Sequence, residues 1–351
     1  MRIGIEEARH LAVRGLRGLG LPDQDAARVA EHLLDCELRG LGYAGLARVL
    51  SIAERFADRP YQGRPIAVVS ETPVSARIDG GDNVGYLVAH EATRVAIGKA
   101  GASGIAIVGA NNTWYTGMLS FYAEMAASAD LAVMIASNAT PWVAPAGGTE
   151  PRFGTNPICF GFPGEAGPAI WDIGISDIIH AQAVMARRLG QALPEGTAFD
   201  AEGRPTTDPV AALGGAFAAW GGHRGSGLGI VVQILGMMAG SPAMPDHLTD
   251  FGFLIIAFRP DLLGPLDLFK GKVSAYADLI RATRPVEGGP VVRMPFDRSA
   301  ALRAACLAEG SIEIPDPVLD AVRALAGPPA GGFQSKCDGD LVMERYLVQG
   351  R

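Results

Sequence analysis

The sequence is poor in charged residues and especially in lysine. Only 19% of its 351 residues are charged, and four of the 30 basic residues are lysines. Acidic residues number 37, which leaves a net charge of -7. A nucleic-acid-binding surface needs a clustered positive excess, so that class of protein is excluded. Hydrophobic types make up 48% of the chain, which excludes a disordered protein and predicts a packed globule.

Cysteines are few and far apart in the sequence. The four positions are Cys36, Cys159, Cys306 and Cys337. They form no Cys-x-x-Cys pair, so neither a metal site nor a disulfide framework is predicted. Reduced thiols indicate a cytoplasmic protein, and the charged first ten residues lack the apolar segment of a signal peptide.

Long apolar runs are also missing. The longest, residues 228–239, includes Gln233 and is far shorter than the roughly 20 residues that a bilayer span needs. We therefore predict a buried helix here and no membrane span.

The order of the remaining patterns predicts an alternating α/β chain. Apolar residues at helical spacing predict two helices, over 5–19 and from Asp23 to Gly40. Further helices are predicted over 84–99, 117–127, 176–188, 225–239, 267–283, 299–307 and 317–326. Strands are predicted over 66–69, 74–78, 104–108, 131–136, 158–162, 169–173, 252–257 and 290–294, with a turn at 79–81 and a loop at 327–332.

The common nucleotide-binding and hydrolase motifs are absent. A Rossmann domain carries Gly-x-Gly-x-x-Gly between a strand and a helix. The nearest string, Gly225-Ser226-Gly227-Leu228-Gly229, is one residue short in its last spacing. The sequence also has no Walker loop, no Gly-x-Ser-x-Gly elbow and no His-Glu-x-x-His. An ordinary Rossmann domain is therefore disfavoured.

Glycine is concentrated in two other clusters. One runs from Ala144 to Gly148 and resumes at Gly154-Thr155-Asn156-Pro157; the other is Gly221-Gly222-His223-Arg224-Gly225. Glycines let backbone amides approach a bound group closely, and Arg224 could neutralise a phosphate. Composition alone leaves this interpretation and plain tight turns equally open.

Several of these strings resemble the malate/L-lactate dehydrogenase family that lacks a Rossmann fold. The most specific are Ser137-Asn138-Ala139-Thr140-Pro141-Trp142 with its continuation to Gly148, Phe153 to Pro157, Leu193-Pro194-Glu195-Gly196, and Gly221 to Gly225, which is similar to a family Gly-Gly-His-Lys-Gly string. The family includes ureidoglycolate and sulfolactate dehydrogenases and Δ1-piperideine-2-carboxylate reductases. The similarity extends over nearly the whole chain.

This resemblance implies a fold and a chemistry. The fold is a non-Rossmann α/β type like that of L-sulfolactate dehydrogenase, with a mixed sheet and a mainly helical second domain. Residues 1–70 and 298–351 would form the helical domain, and residues 71–297 the nicotinamide-cofactor-binding domain. The chemistry is reduction of a small 2-oxo acid or cyclic 2-imino acid by NADPH or NADH, usually in a homodimer with the active site near the subunit interface.

The resemblance also assigns a cofactor site by matched position. Its residues are Ala139, Thr140, Asp172, Ile173, Gly174, Arg224, Pro295 and Asp297, with His223 as a candidate cofactor or structural contact. Two matches depart from the family: Arg224 replaces a lysine, and Phe296-Asp297 stands where Gly-Glu is usual. Arginine keeps the charge and adds a forked geometry that suits phosphate.

The catalytic positions depart further. The family's Ser-His-Gly-x-x-Arg string aligns with Tyr43-Ala44-Gly45-Leu46-Ala47-Arg48, so serine and histidine are lost and arginine is kept. The histidine that acts as general acid in the family aligns with Tyr115. Both imidazoles are therefore missing from their expected places.

The loss of an acid affects ketones and imines differently. Hydride addition to a carbonyl gives an alkoxide, which needs a proton, and a tyrosine of ordinary pKa near about 10 is a weaker acid than histidine. A protonated iminium already carries the positive charge, so it needs no strong protein acid. Tyr115 could donate a proton or hydrogen bond, form an aromatic wall, or be a packed residue. Tyr43 and Trp114 would extend an aromatic lining, and Thr155 is a further substrate-binding candidate.

Arg48 is the main candidate for substrate binding. A guanidinium can hold a carboxylate by two parallel hydrogen bonds; otherwise Arg48 is a helix-surface residue. His180 is either a replacement acid or part of a helix surface, whereas His10, His32 and His90 are predicted to be solvated.

We therefore hypothesise an NAD(P)H-dependent reductase of a carboxylate-bearing imine or ketone. Arg48 would anchor the substrate, and Tyr115 would be the donor or wall. Two rivals remain: a pseudoenzyme or binding subunit that lost its acid, and a dehydrogenase of a non-carboxylate alcohol.

Overall fold

A computed structural model describes residues 1–328 of the chain. The end of the predicted loop at 327–332, the predicted domain segment beyond 328 and Cys337 lie outside these residues. The helices are α1 (Ile5–Gly18), α2 (Asp23–Leu38), α3 (Ala47–Asp58), α4 (Gly85–Ser103), α5 (Leu119–Ala127), α6 (His180–Leu189), α7 (Pro209–Leu213), α8 (His223–Met238), α9 (Leu266–Arg281), α10 (Asp297–Glu309) and α11 (Asp316–Ala326). The strands are β1 (Arg2–Gly4), β2 (Ala67–Thr72), β3 (Ser75–Val84), β4 (Ile105–Trp114), β5 (Ala132–Ser137), β6 (Ile158–Phe162), β7 (Ala169–Ile173), β8 (Ala198–Phe199), β9 (Ala216–Phe217), β10 (Phe253–Phe258) and β11 (Ser311–Glu313).

A seven-stranded mixed sheet forms the centre of the molecule. Its strand order is β2-β3-β4-β10-β5-β6-β7. β3 and β4 are parallel, and the other neighbouring pairs are antiparallel. The apolar strand β10 lies in the middle, as expected for a strand that is covered on both faces. The predicted α/β fold with a mixed sheet is confirmed.

Helices cover both faces of this sheet. On one face, α4 presents Ala89, Ala92, Ala96 and Ala100, all fully buried, and these small side chains let the helix lie close to the strands. On the other face, α8 packs through Val232 against β5 and β6. The outer side of α8 is exposed, so the predicted buried helix is buried along one side only in a single chain.

The two ends of the described chain meet beside the sheet. β1 pairs with β11, and α1 packs against α2 and α11. These elements and α3 form a helical layer. The boundary predicted at residue 70 falls within β2, and the one at residue 298 falls in the first turn of α10.

The sequence does not predict the short elements β1, α7, β8, β9 and β11, and three further segments differ from the prediction. Helix α3 was missed because its buried side carries Arg48, Ser51 and Arg55, which interrupt the apolar stripe. The strand predicted over 290–294 is wrong, since this segment pairs with no other strand of residues 1–328. The predicted turn at 79–81 is also wrong. There β3 continues with a shift of register, and Gly80 lies so close to β4 that a Cβ would be 2.7 Å from the Asn112 carbonyl oxygen.

Of the helices between residues 1 and 328, none combines the length and apolarity required to cross a bilayer.

Candidate active site

The ends of several elements surround one cleft of about 670 Å³. Small-molecule sites usually have volumes of roughly 300–1,000 Å³. Side chains come from the last residues of β7, from the segments after β4 and β5, and from the beginnings of α3, α4, α6 and α10. The sequence-predicted site residues that line the cleft are Tyr43, Arg48, Tyr115, Ala139, Thr155, Asp172, Gly174 and Pro295.

The remaining predicted residues lie away from the cleft surface. They are Trp114, Thr140, Ile173, His223, Arg224 and Asp297. Trp114 is fully buried behind Tyr115 rather than part of the lining, with its Nε1 donating to the Asp82 carbonyl oxygen at 3.0 Å. Thr140 accepts a hydrogen bond from the Leu248 backbone. Strand alternation turns Ile173 away from the cleft that Asp172 faces.

The other three lie on helix starts. His223 and Arg224 are exposed in the first turn of α8. Asp297 begins α10 and pairs with Arg281 at 2.8 Å. Arg224, the predicted phosphate contact, is therefore not part of this cleft in a single chain.

Arg48 is buried in the cleft and is not a helix-surface arginine. Its exposed fraction is 4%. Its Cζ lies 3.8 Å from the centre of the Tyr115 ring, the Tyr86 phenol interacts electrostatically with the guanidinium, and Nη1 donates to Ser51 Oγ at 3.4 Å. Within residues 1–328, no carboxylate forms an ion pair with it. A buried charge is costly unless it is paired, so this guanidinium is suited to an anionic ligand.

A buried carboxyl group holds the loop in front of Arg48. Glu37, at the end of α2, accepts a hydrogen bond from the Leu46 backbone at 2.7 Å. Gly45 packs directly on this side chain, and a Cβ there would be 2.3 Å from Glu37 Oε1. Burial raises the pKa of Glu37 to about 7, although the hydrogen bond from Leu46 acts in the opposite direction.

This raised pKa gives a testable pH dependence of stability. Between pH 4.5, the ordinary pKa of a glutamate, and about pH 7, folded Glu37 binds more protons than the unfolded chain. Its contribution to stability is therefore complete below pH 4.5 and is lost as the pH rises through the raised pKa of about 7. Through Glu37 the wild type should lose roughly 2–3 kcal/mol of unfolding free energy between about pH 5 and about pH 8. Glu37→Gln should abolish this part of the pH dependence, because glutamine does not ionise. Urea denaturation at both pH values measures this difference. Gln can still accept from Leu46, so equal pH dependence in the two proteins would contradict the assignment.

Two tyrosines, Tyr115 and Tyr86, lie beside the guanidinium, and a third, Tyr43, lines the same cleft. Tyr115 follows β4 with φ of 53°, a left-handed conformation that costs a non-glycine residue energy and brings the ring over Arg48. Burial raises the pKa of Tyr86 to about 12, against the opposing effect of Arg48. Burial likewise raises the pKa of Tyr43 to about 12. The phenols of Tyr43 and Tyr86 are therefore weak acids.

A histidine beneath the cleft was wrongly predicted to be solvated. His32 is 1% exposed, because its ring packs against Tyr86 of α4 and against Phe121 and Tyr122 of α5. Its Nε2 accepts a hydrogen bond from the Met118 backbone at 3.0 Å. His32 therefore supports the segment after β4 that lines the cleft.

Asp172 ends β7 and faces the cleft. Its Oδ2 accepts a hydrogen bond from the Ser120 backbone at 2.8 Å. Burial raises the pKa of Asp172 to about 6, although the hydrogen bonds from the start of α5 lower it.

Three further lining residues did not stand out as site residues in the sequence. The sequence does not decide whether His180 is a replacement acid or part of a helix surface, and it contains no motif that points to Tyr86. Arg298 follows the matched segment 295–297, and this position could have drawn attention to it. Arg298 is exposed at the edge of the cleft and has no ion pair within the described part of the chain.

Comparison with known proteins gives this cleft a context. Residues 3–323 match the family described as malate/L-lactate dehydrogenase. A (2R)-3-sulfolactate dehydrogenase (NADP(+)) of Chromohalobacter salexigens is 31% identical over 335 residues, which cover 92% of this chain and 98% of that protein. A ureidoglycolate dehydrogenase (NAD(+)) of Escherichia coli O157:H7 is 30% identical over 331 residues, which cover 91% of this chain and 94% of that protein.

A solved structure agrees with these relatives. The Δ1-piperideine-2-carboxylate reductase of Pseudomonas syringae superposes with a TM-score of 0.78 at 26% identity, over 93% of this chain and 99% of that one. Nicotinamide dinucleotides are the cofactors of the family, as the names of the two dehydrogenases indicate. The chain belongs to the malate/L-lactate dehydrogenase family.

Proposed function

We propose that the protein is an NAD(P)H-dependent reductase of a small carboxylate-bearing substrate, a cyclic imine or a 2-oxo acid. The observation that carries this proposal is Arg48, a buried guanidinium in the cleft with no acidic partner among residues 1–328. A substrate carboxylate would supply the missing charge through two parallel hydrogen bonds. Family membership supports the redox chemistry.

The lining of the cleft supports the binding of a dinucleotide there. The cofactor residues predicted at Ala139, Asp172, Gly174 and Pro295 all line it. Arg298 adds an unpaired guanidinium at its edge, which suits a phosphate. When bound, the nicotinamide would supply the hydride. The chain's own residues would orient the substrate and exclude water.

Proton supply favours an imine over a 2-oxo acid. The alkoxide formed from a ketone needs a proton in or just after the transition state. Burial raises the pKa of the Tyr43 and Tyr86 phenols to about 12, which makes both poor proton donors at neutral pH. The Asp172 carboxyl, whose pKa burial raises to about 6, accepts a hydrogen bond from the Ser120 backbone and is assigned to the cofactor. A protonated imine needs no such donor. Tyr115 would act mainly as an aromatic wall over Arg48.

Nucleotide titration followed by a turnover assay tests the proposal. We expect NADPH or NADH to change fluorescence on binding and to be oxidised when a cyclic 2-imino acid is added. Nucleotide binding without oxidation by any carboxylate substrate would instead support the rival interpretation of a binding subunit. Binding of neither nucleotide would refute the proposal.

We also propose that the exposed side of α8 forms a homodimer interface. It presents four large apolar residues, Ile230, Val231, Ile234 and Met238, each between 48% and 60% exposed. Contiguous apolar patches on a soluble surface mark interaction sites. The homodimer expected from the family resemblance would cover this patch.

A charge placed in the patch should separate the subunits. Ile234→Glu is expected to convert a dimer into a monomer of 36.6 kDa, because a carboxylate would lose its hydration in the interface. Light scattering after size-exclusion chromatography measures the mass. Val210→Glu is the matched control, since Val210 is an exposed apolar residue on α7. Equal masses for wild type and Ile234→Glu would contradict the interface.

A further inference from the structure

An imidazole enters the cleft from a helix that does not carry the family's histidine positions. His180 is the first residue of α6 and lines the same cleft as Arg48 and Tyr115. Its ring stacks on Trp142, with 3.9 Å between ring centres and 17° between planes. Within residues 1–328, neither of its ring nitrogens has a hydrogen-bond partner. The ring is thus fixed by stacking while its polar edge remains available.

Hydrogen bonds between α6 and α3 fix the position of His180 relative to Arg48. At the other end of α6, Arg188 donates to the Ala47 carbonyl oxygen at 2.9 Å and to Ser51 Oγ at 3.1 Å, both on α3. Ser51 Oγ also accepts from Arg48. The helix that begins with His180 is therefore fastened to the helix that begins beside Arg48.

The surroundings keep this imidazole neutral. Burial lowers the pKa of His180 to about 3, and the positive charges of Arg48, Arg187 and Arg188 act in the same direction. A neutral imidazole is a poor general acid, and it has one N–H donor and one acceptor nitrogen. The acceptor nitrogen suits a ligand group that carries a proton.

We propose that His180 contacts the reacting C=N group of the substrate, accepting the hydrogen bond of a protonated imine, and that this contact makes the site prefer a cyclic imino acid to a 2-oxo acid. The inference rests on the proposed function. Hydride addition forms a C–H bond at the imine carbon, and the π electrons of C=N return to nitrogen as a lone pair. The nicotinamide is oxidised, the substrate becomes an amine, and its N–H proton stays in place.

Two substitutions distinguish the contribution of the aromatic ring from that of its hydrogen-bonding nitrogens. His180→Phe keeps the stacking on Trp142 and removes the acceptor, whereas His180→Gln keeps an acceptor oxygen. We expect His180→Phe to lower kcat/KM for Δ1-piperideine-2-carboxylate by about 10- to 100-fold, the effect of losing one hydrogen bond to a charged group. For pyruvate, kcat/KM should change by less than about threefold. His180→Gln should recover part of the imine activity.

The outcomes distinguish this inference from the proposed function. Equal losses for both substrates in His180→Phe, or none for the imine, with unchanged nucleotide affinity and melting temperature, would overturn the role of His180 alone. If the wild type binds nucleotide but reduces neither substrate, the proposed function fails, and the inference fails with it.

Discussion

Replacing Arg48 with alanine is expected to lower kcat/KM for a carboxylate-bearing substrate by at least about 100-fold, or roughly 3 kcal/mol. The guanidinium is buried and already fixed between Tyr115 and Tyr86, so little ordering is needed when a carboxylate binds. The effect should fall mainly on KM, because the carboxylate is held equally in the ground state and the transition state. Steady-state kinetics with a cyclic imino acid measure it.

Two controls separate binding from folding in this experiment. Arg48→Lys keeps the charge but loses the fork, so it should have an intermediate effect. Arg28→Ala removes an exposed arginine of α2 and should leave the kinetics unchanged. A folded Arg48→Ala protein with full activity would support the rival hypothesis of a non-carboxylate substrate.

The largest effect on stability is expected from Arg39→Ala. Arg39 is 1% exposed and pairs with Asp35 at 2.7 Å and with Glu124 at 2.5 Å. Arg303 pairs with the same two carboxylates. Removing Arg39 leaves the buried Asp35 and the half-buried Glu124 with one guanidinium instead of two, which should lower the free energy of unfolding by roughly 3–5 kcal/mol. Urea denaturation measures the change.

An exposed pair provides the matched control. Arg94 forms an ion pair with Glu91 on the surface of α4, and Arg94→Ala should cost at most about 0.5 kcal/mol. The network also bears on the cleft, because Arg39 lies 4.5 Å from the centre of the Phe296 ring, which lines it. A loss below about 1 kcal/mol for Arg39→Ala would show that the network relaxes around the missing charge.

Much of the fold follows from local sequence patterns, and the exceptions have physical causes. Helices such as α2 and strands such as β10 have apolar residues at regular spacing, and both were predicted. Helix α3 was missed because its buried side is partly polar, and Arg55 on that side finds its partner, Asp82, far away in the sequence. The register shift in β3 depends on how closely Gly80 approaches β4, which is a tertiary contact and leaves no local pattern.

Site residues could be predicted only where a sequence string that resembles the family also lines the cleft. The resemblance pointed to Arg48, Tyr115 and Asp172, and all three line one cavity. It could not indicate that Trp114 lies behind Tyr115, since only the strand's placement decides which side faces the cavity. The resemblance also did not assign His180 to the site, because its place in the cleft depends on stacking against Trp142, which is 38 positions away in the sequence.

A crystal structure with an oxidised nicotinamide dinucleotide and a cyclic amino acid product would test the central claim most directly. We predict that the substrate carboxylate pairs with Arg48, and that the nicotinamide C4 lies within about 4 Å of the ring carbon that receives the hydride. A carboxylate bound away from Arg48, or a nicotinamide ring outside the cleft, would contradict the account.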